Sequence, residues 1–315
     1  MTGCWKVFCL NVSWYGKKLK YNARKLGCNV LYWLVIINKE TRKQKKMLLK
    51  ENIMDAWARY TLEYTSLKSL EYVKNKYFDY AKNRKTNKVV YTCITGGYDF
   101  LNHHKYVDKD WDYICFCDDT EMLKHEYIGA WKIKPLAFDK FDNVRNARWH
   151  KTHPHEILKE YEYSIWCDGN VNFLSKHGIK RAEGFIKNGD LIAVPRHFER
   201  DCIYDEVEAC IICKKDDAAL MQKQAGLLRE KGFPPHWGLH ETNVIFRQHN
   251  DSVCTDLMEE WWKWIRDVSR RDQLSFDFVL WNNNLDIPDF CEKPIKHMPE
   301  HFCFIYMLNV HTFKM

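Results

Sequence analysis

The feature that most constrains this chain is a recurring one: short, β-branched, apolar runs that each stop on a polar residue, a glycine or a proline. Val89 to Thr95 stops at Gly96-Gly97, Tyr113 to Phe116 at Asp118-Asp119, and Tyr163 to Cys167 at Asp168-Gly169-Asn170. Asp190 to Val194 stops at Pro195, and Asn243 to Phe246 stops at Arg247. Runs this short and continuously apolar read as strands buried on both faces rather than as half-exposed hairpin strands. Helix-like stretches lie between them, at Asp142 to Tyr161, Asp216 to Lys231 and Thr255 to Val268. Apolar strands alternating with helices predict an α/β fold, a sheet flanked by helices. Its polar strand ends gather on the carboxyl edge, where such folds bind ligands.

The first 87 residues have another texture. Residues 1 to 88 hold 20 Lys or Arg against 6 Asp or Glu, whereas residues 89 to 315 hold 29 against 36. The overall charge of +7 therefore belongs to the front segment, and the domain behind it is mildly acidic. A nucleic-acid enzyme carries its basic surface around its active site, so that class is disfavoured and no nucleic-acid partner is expected. Ile53, Ala56, Trp57, Tyr60, Tyr64, Leu67 and Leu70 recur at steps of three and four, which describes an amphipathic helix. The segment closes on the polar stretch Lys82 to Lys88. Residues 1–87 thus read as a basic, mainly helical extension and residues 88–315 as the enzymatic domain. The extension either packs on the domain or attaches to an anionic membrane surface, where each clustered cation contributes about 1 kcal/mol.

The most apolar stretch, Val30 to Ile37, is far shorter than the ~20 residues that span a bilayer. Neither a membrane span nor a signal peptide is visible. The 13 cysteines are scattered, several inside apolar runs, as free buried thiols would be. That usage fits a reducing compartment, and a cytoplasmic protein, peripheral to the membrane if the extension binds it, is expected. Cys210-x-x-Cys213 has no second pair at zinc spacing. The 13 Trp, 17 Tyr and 17 Phe exceed what a core of this size absorbs, leaving rings for sugars or nucleobases to stack on.

Several groups carry chemistry. After the first strand, Thr95, Gly96, Gly97, Tyr98 and Asp99 combine close backbone approach, a stacking ring and an acceptor, which suits a base and its ribose; an ordinary glycine turn has the same residues. Asp168 and Asn170 end a central strand, where hard oxygen ligands would hold Mg²⁺ or Mn²⁺ against a diphosphate. The literal D-x-D, Asp110-Trp111-Asp112, precedes a strand and reads as a turn at the other edge. Arg145, Arg148 and Lys151 recur at three-residue steps behind Asp142, as a diphosphate clamp or as a solvated helix face. Arg270 and Arg271 adjoin Asp272 at a helix start: the pair offers a phosphate site, and Asp272 a base or a cap. Glu241, in a loop rich in Pro, Gly and His, is the other candidate base. His197 to Asp201 forms a further acid-and-histidine cluster.

The stretches VVYTCITGGYD (Val89 to Asp99), DWDYICFCDD (Asp110 to Asp119), IWCDGN (Ile165 to Asn170), HFERDCIYDE (His197 to Glu206) and SRRDQLSF (Ser269 to Phe276) resemble a plant and bacterial family of glycosyltransferase-like proteins. That family was long grouped as a domain of unknown function, and its plant members are associated with cell-wall and mucilage polysaccharides. The resemblance covers residues 88 to about 282. It implies a GT-A-type mixed sheet, a nucleotide-sugar donor and a glycan or polysaccharide acceptor. It places Asp168 where the D-x-D metal site lies and Thr95 to Asp99 on the nucleotide side. Asn170, where a second acid is expected, weakens the case for a metal.

The expected activity is sugar transfer from a nucleoside-diphosphate donor to a glycan hydroxyl. Arg145, Arg148 and Lys151, with Arg270 and Arg271, would neutralise the diphosphate, and Glu241 or Asp272 would activate the acceptor if the enzyme inverts. The rival readings are a metal-dependent hydrolase of a lipid or glycan and a non-catalytic membrane-surface adaptor.

Overall fold

The structure, a computed structural model, describes residues 85–99, 101–102 and 104–304. All of these belong to one compact unit, Trp57–Met315. The basic extension and its amphipathic helix lie outside the described residues, apart from positions 85–87.

Nine strands are described. β1 (Lys88–Ile94), β2 (Asp112–Cys117), β3 (Tyr127–Ile128), β4 (Trp131–Pro135), β5 (Tyr163–Cys167), β7 (Ile192–Ala193) and β8 (Val244–Arg247) form one sheet in the order β3-β4-β2-β1-β5-β8-β7. β6 (Val171–Phe173) and β9 (Phe302–Phe304) pair antiparallel beside it. The centre is parallel: β1 lies between β2 and β5, and β4 extends the set beyond β2. β8 runs antiparallel to both β5 and β7. The expected α/β architecture, a mixed sheet flanked by helices, is present.

The helices are α1 (Asn143–Thr152), α2 (Pro154–Ile157), α3 (His177–Asn188), α4 (Ile203–Ile212), α5 (Ala218–Glu230), α6 (Ser252–Asp267) and α7 (Gln273–Asn282). Side chains of β1 alternate between two cores. Val89, Tyr91 and Cys93 join α1, α6 and α7 on one face, while Val90 and Ile94 join α3 and the small sheet on the other. This two-sided burial is why the central strands are apolar at every position instead of every second one.

Two expectations change at this level. The single helix over Asp142 to Tyr161 is broken into α1 and α2, because Pro154 has no N–H and disfavours helical geometry at the residue before it. His153 accordingly leaves the helix, at φ −118° and ψ 43°. The fourth strand shrinks to Ile192–Ala193. β3, β4, the small sheet, α3 and α4 were not anticipated from the sequence.

Candidate functional site

The carboxyl ends of β1, β2 and β5 open on one edge of the sheet. Because β8 is antiparallel to β5, the residues before β8 reach the same edge, and Asp168 N–H donates to Asn243 O at 2.8 Å. Beyond β1 the chain turns through Gly96 and Gly97, at φ +60° and +63°, the left-handed region that glycine enters without steric cost. Thr95 Oγ1 donates to Asn143 O at 2.8 Å, tying the turn to the start of α1. Gly96 N–H donates to the Asp118 carboxylate, at 2.8 Å to Oδ2. A cleft of about 410 Å³ lies here, lined by Gly96, Gly97, Asp118, Asp119, Thr120 and Glu121, with Tyr98 exposed at the same turn. An acidic wall repels phosphate and accepts hydrogen bonds, so it suits the N–H and hydroxyl donors of a base and ribose.

Asp168 sits at the centre of the edge. Its Oδ1 accepts from Trp166 Nε1 at 2.7 Å and faces Lys151 Nζ at 3.4 Å and Arg148 Nη1 at 3.6 Å. Asp99 is its neighbour. A Cβ on Gly169 would come within 3.2 Å of Asp99 Oδ2, so the absent side chain is what lets Asp99 pack against the turn that carries Asp168 and Asn170. Burial and then the nearby Asp168 push the Asp99 carboxyl up to about 7, against the pull of Arg148.

The cations lie elsewhere than expected. Arg145 turns from the edge: it pairs with Asp142 at 2.7 Å and donates to Ile265 O and Val268 O, both at 3.0 Å, locking α1 to the end of α6. Lys151 is fully buried, with Nζ 2.5 Å from Asp272 Oδ2 and over the rings of Trp166 and Trp261. Arg148 Nε lies 3.2 Å from Asp272 Oδ1. Arg271 is packed against Cys210, Glu206 and Asp272, and Arg270 pairs with Asp216 at 3.1 Å. Three steps along a helix therefore yield one structural strut and two cations joined to two carboxylates, instead of a common clamp.

Asp272 is 2% exposed. It occupies the N-cap position of α7 without capping it, because its side chain turns into the cation cluster and also accepts from Thr242 Oγ1 at 3.0 Å. Burial would raise its pKa, but Arg148, Lys151 and Arg271 more than reverse this and hold it well below the usual carboxylate range. A carboxylate so strongly held as an anion is a poor proton acceptor. The geometry favours Asp272 as the counter-ion of the cluster over its expected role as base.

Glu241 reaches the edge from the loop before β8. It is buried, accepts from Asn243 Nδ2 at 3.0 Å and lies 3.8 Å from Lys296; burial raises its pKa. The side chain of His197 is turned inward, and its Nδ1 accepts from the backbone N–H of Glu199 and Arg200, which makes it a loop organiser. Asp110 lies in a turn and Asp112 opens β2, where it accepts from Tyr161 Oη at 2.8 Å at the opposite edge. Asp118, Trp166 and Thr242 were not singled out from the sequence, although the strand-end rule that selects Asp168 selects Asp118 equally.

The oxygen set fits a hard divalent cation. Asp99 packs on Gly169 next to Asp168, and Asn170 Oδ1 is buried with no hydrogen-bond partner among the described residues. A buried oxygen without a donor is destabilising unless something electropositive reaches it. None of the ten described cysteines is in a disulfide, and Cys210 Sγ donates a hydrogen bond to Glu206 Oε1 at 3.3 Å. Among the described residues no helix is long and apolar enough to cross a membrane.

Comparison with known proteins bears on these features. The sequence profile described as "TOD1/MUCI70, glycosyltransferase-like domain" matches residues 72–293, beginning inside the segment set apart as the extension. The probable hexosyltransferase MUCI70 of Arabidopsis thaliana is 27% identical over 202 residues, which is 56% of this chain and 34% of that protein. The match thus spans about a third of the relative's length. Among solved structures, mouse xyloside xylosyltransferase 1 in its apo form is similar with a TM-score of 0.37 and 11% identity, over 65% of this chain and 85% of that one. With most of its length matched by the profile, this chain belongs to the TOD1/MUCI70 family of glycosyltransferase-like domains.

Proposed function

We propose that this protein transfers a hexose or a related sugar from a nucleoside-diphosphate donor to a hydroxyl of a glycan. The observation that carries the reading is the Asp99 carboxylate packed on Gly169, between Asp168 and Asn170 in the turn after β5, with the Asn170 side-chain oxygen buried and without a partner among the described residues. Asp99, Asp168 and Asn170 would hold a divalent cation, which neutralises charge developing on the leaving nucleotide. The cleft at Gly96 and Asp118 receives the base and ribose through its acceptors. Arg148, which keeps some exposure beside Asp168, and Arg270, part-exposed between Asp142 and Asp216, would face the diphosphate; fully buried Lys151 fixes the orientation of Asp168. Glu241, with its raised pKa, is the acceptor-side base if the reaction inverts. The relative's printed name, a probable hexosyltransferase, supports the sugar class.

The test is a thermal-shift screen of UDP and GDP with and without Mn²⁺. A ligand at 100 times its Kd stabilises by about 2.7 kcal/mol, so a bound nucleotide is readily seen. The expected result is a shift that needs Mn²⁺ and is lost in Asp168→Asn. Glu241→Gln should keep the shift while losing transfer to a glycan acceptor. Silence with every nucleoside diphosphate, together with turnover of a glycan in water, would replace this reading with the hydrolase.

A further inference from the structure

Three consecutive residues before β8 are each tied to a different part of the fold. Glu241 N–H donates to Pro195 O at 2.7 Å, and Thr242 Oγ1 donates to Asp272 Oδ2 at 3.0 Å. Asn243 O accepts from Asp168 N–H at 2.8 Å. The register of β5 on β8, in which Cys167 pairs with Val244, continues at this bond and sets Asn243 directly opposite Asp168. Directly opposed residues of an antiparallel pair share a face of the sheet, with Cβ atoms about 4.5–5.5 Å apart. The backbone alone therefore fixes Asn243 beside Asp168.

Its side chain is only half used. Nδ2 donates to Glu241 Oε2 at 3.0 Å, and the other oxygen of that carboxylate lies 3.8 Å from Lys296 Nζ. A carboxylate oxygen accepts, so the amide nitrogen is the atom that faces Glu241 and the amide oxygen points elsewhere. Asn243 Oδ1 is buried and has no hydrogen-bond partner among the described residues. A buried acceptor left without a donor is destabilising, and this amide cannot turn to find one without releasing Glu241.

Asn243 is thus bound by its backbone to Asp168, on the diphosphate side, and by its amide to Glu241, on the acceptor side. The group that passes between those two in a transfer reaction is the sugar, which brings ring hydroxyls. A hydroxyl rotates to suit its partner and can donate to a fixed oxygen. We propose that Asn243 Oδ1 accepts a hydrogen bond from a hydroxyl of the transferred sugar and so helps to select the nucleotide sugar. This rests on the transferase reading of Asp168 and Glu241. A neutral amide suits the task, because it marks the position of one hydroxyl without adding charge between the diphosphate and the base. A site built to bond a substrate hydroxyl rejects sugars that lack it, since its own buried group is then left unpaired.

The experiment uses the full chain with Mn²⁺ and measures binding by calorimetry. The probes are UDP and GDP, then UDP-glucose, UDP-galactose, UDP-xylose and GDP-mannose. The parent should bind one nucleotide sugar more tightly than that sugar's own diphosphate. Asn243→Ala should weaken this nucleotide sugar about threefold to tenfold and leave the free diphosphate unchanged, which also shows that the variant is folded. Asn243→Asp keeps an acceptor but no longer donates to Glu241, so it should retain the preference. Three results would overturn the inference and leave the transferase reading standing: no preference in the parent, a preference kept in Asn243→Ala, or one lost equally in both variants. Equal weakening of the sugar and its diphosphate in Asn243→Ala would overturn it as well. No binding of any nucleoside diphosphate by the parent would remove both.

Discussion

Asp272 and Lys151 show how far the meaning of a residue depends on its surroundings. Each is a charged side chain taken almost completely from water, and each is tolerated because opposite charges surround it, the nearest being the other at 2.5 Å. Removing one partner of such a pair strands the remaining charge, at a cost of about 3–5 kcal/mol. Asp272→Ala should therefore lower stability by that order, read as a fall in the urea midpoint at unchanged m-value. If Asp272 were instead the catalytic base, the midpoint would hold and only turnover would fall. The same residue explains why Arg148 and Lys151 do not form a free phosphate clamp: Asp168 and Asp272 already draw on both.

At the scale of elements, the joint between β1 and α1 positions the cleft lined by Gly96 and Asp118. Thr95 bonds to the first residue of α1, and Gly96 packs where a Cβ would fall 1.9 Å from Asn143 Nδ2. Gly97 has the same left-handed backbone but nothing within 4 Å of its would-be Cβ. An L-residue in that conformation costs roughly 1–2 kcal/mol, so Gly97→Ala should cost about that much and nothing more. Gly96→Ala adds a clash at a helix start and should be distinctly worse, by chemical denaturation and by loss of the nucleotide-induced thermal shift. Equal effects at the two glycines would mean that the joint is not packed as described. The helix break at Pro154 belongs to this scale as well, since His153 leaves helical geometry there and a new short helix starts at the proline.

At the scale of the whole molecule, acid stability reports on buried neutral histidines. His150 is fully buried: Nδ1 donates to Asn146 O at 2.8 Å and Nε2 accepts from Ala137 N–H at 2.9 Å. Burial lowers its pKa from 6.5 to about 4. Between those values the unfolded chain takes up a proton at this ring and the folded chain does not, so acid favours unfolding. The stability of the parent relative to His150→Asn should shrink as pH falls from about 6.5 to about 4, by a total near 3 kcal/mol. Denaturant titrations at a series of pH values would show this, and a gap independent of pH would contradict it. Asp99 and Glu241, whose pKa values are raised, act in the opposite direction in both proteins and cancel from the comparison.

The central strands could be read from the chain directly, and β5 falls on the residues expected, because burial on both faces leaves an unbroken apolar run. Asp168 and the Gly96 turn were legible for the same reason, since a polar residue after a buried parallel strand has only one edge to reach. β4 escaped because Trp131-Lys132-Ile133-Lys134 alternates, and α4 because its helical signal had been absorbed into a cluster of acids and histidines. Strand direction was beyond the sequence. The antiparallel course of β8 brings Glu241, Thr242 and Asn243 to the edge that carries Asp168 although they precede a strand. The partners of the cations were equally out of reach, because Asp272 lies 121 residues from Lys151 and only the packing of α7 on α6, and of α6 on α1, sets them together. Apolar patterning, which is local, was written in the sequence; the pairing of charges, which is long-range, was decided by the tertiary structure.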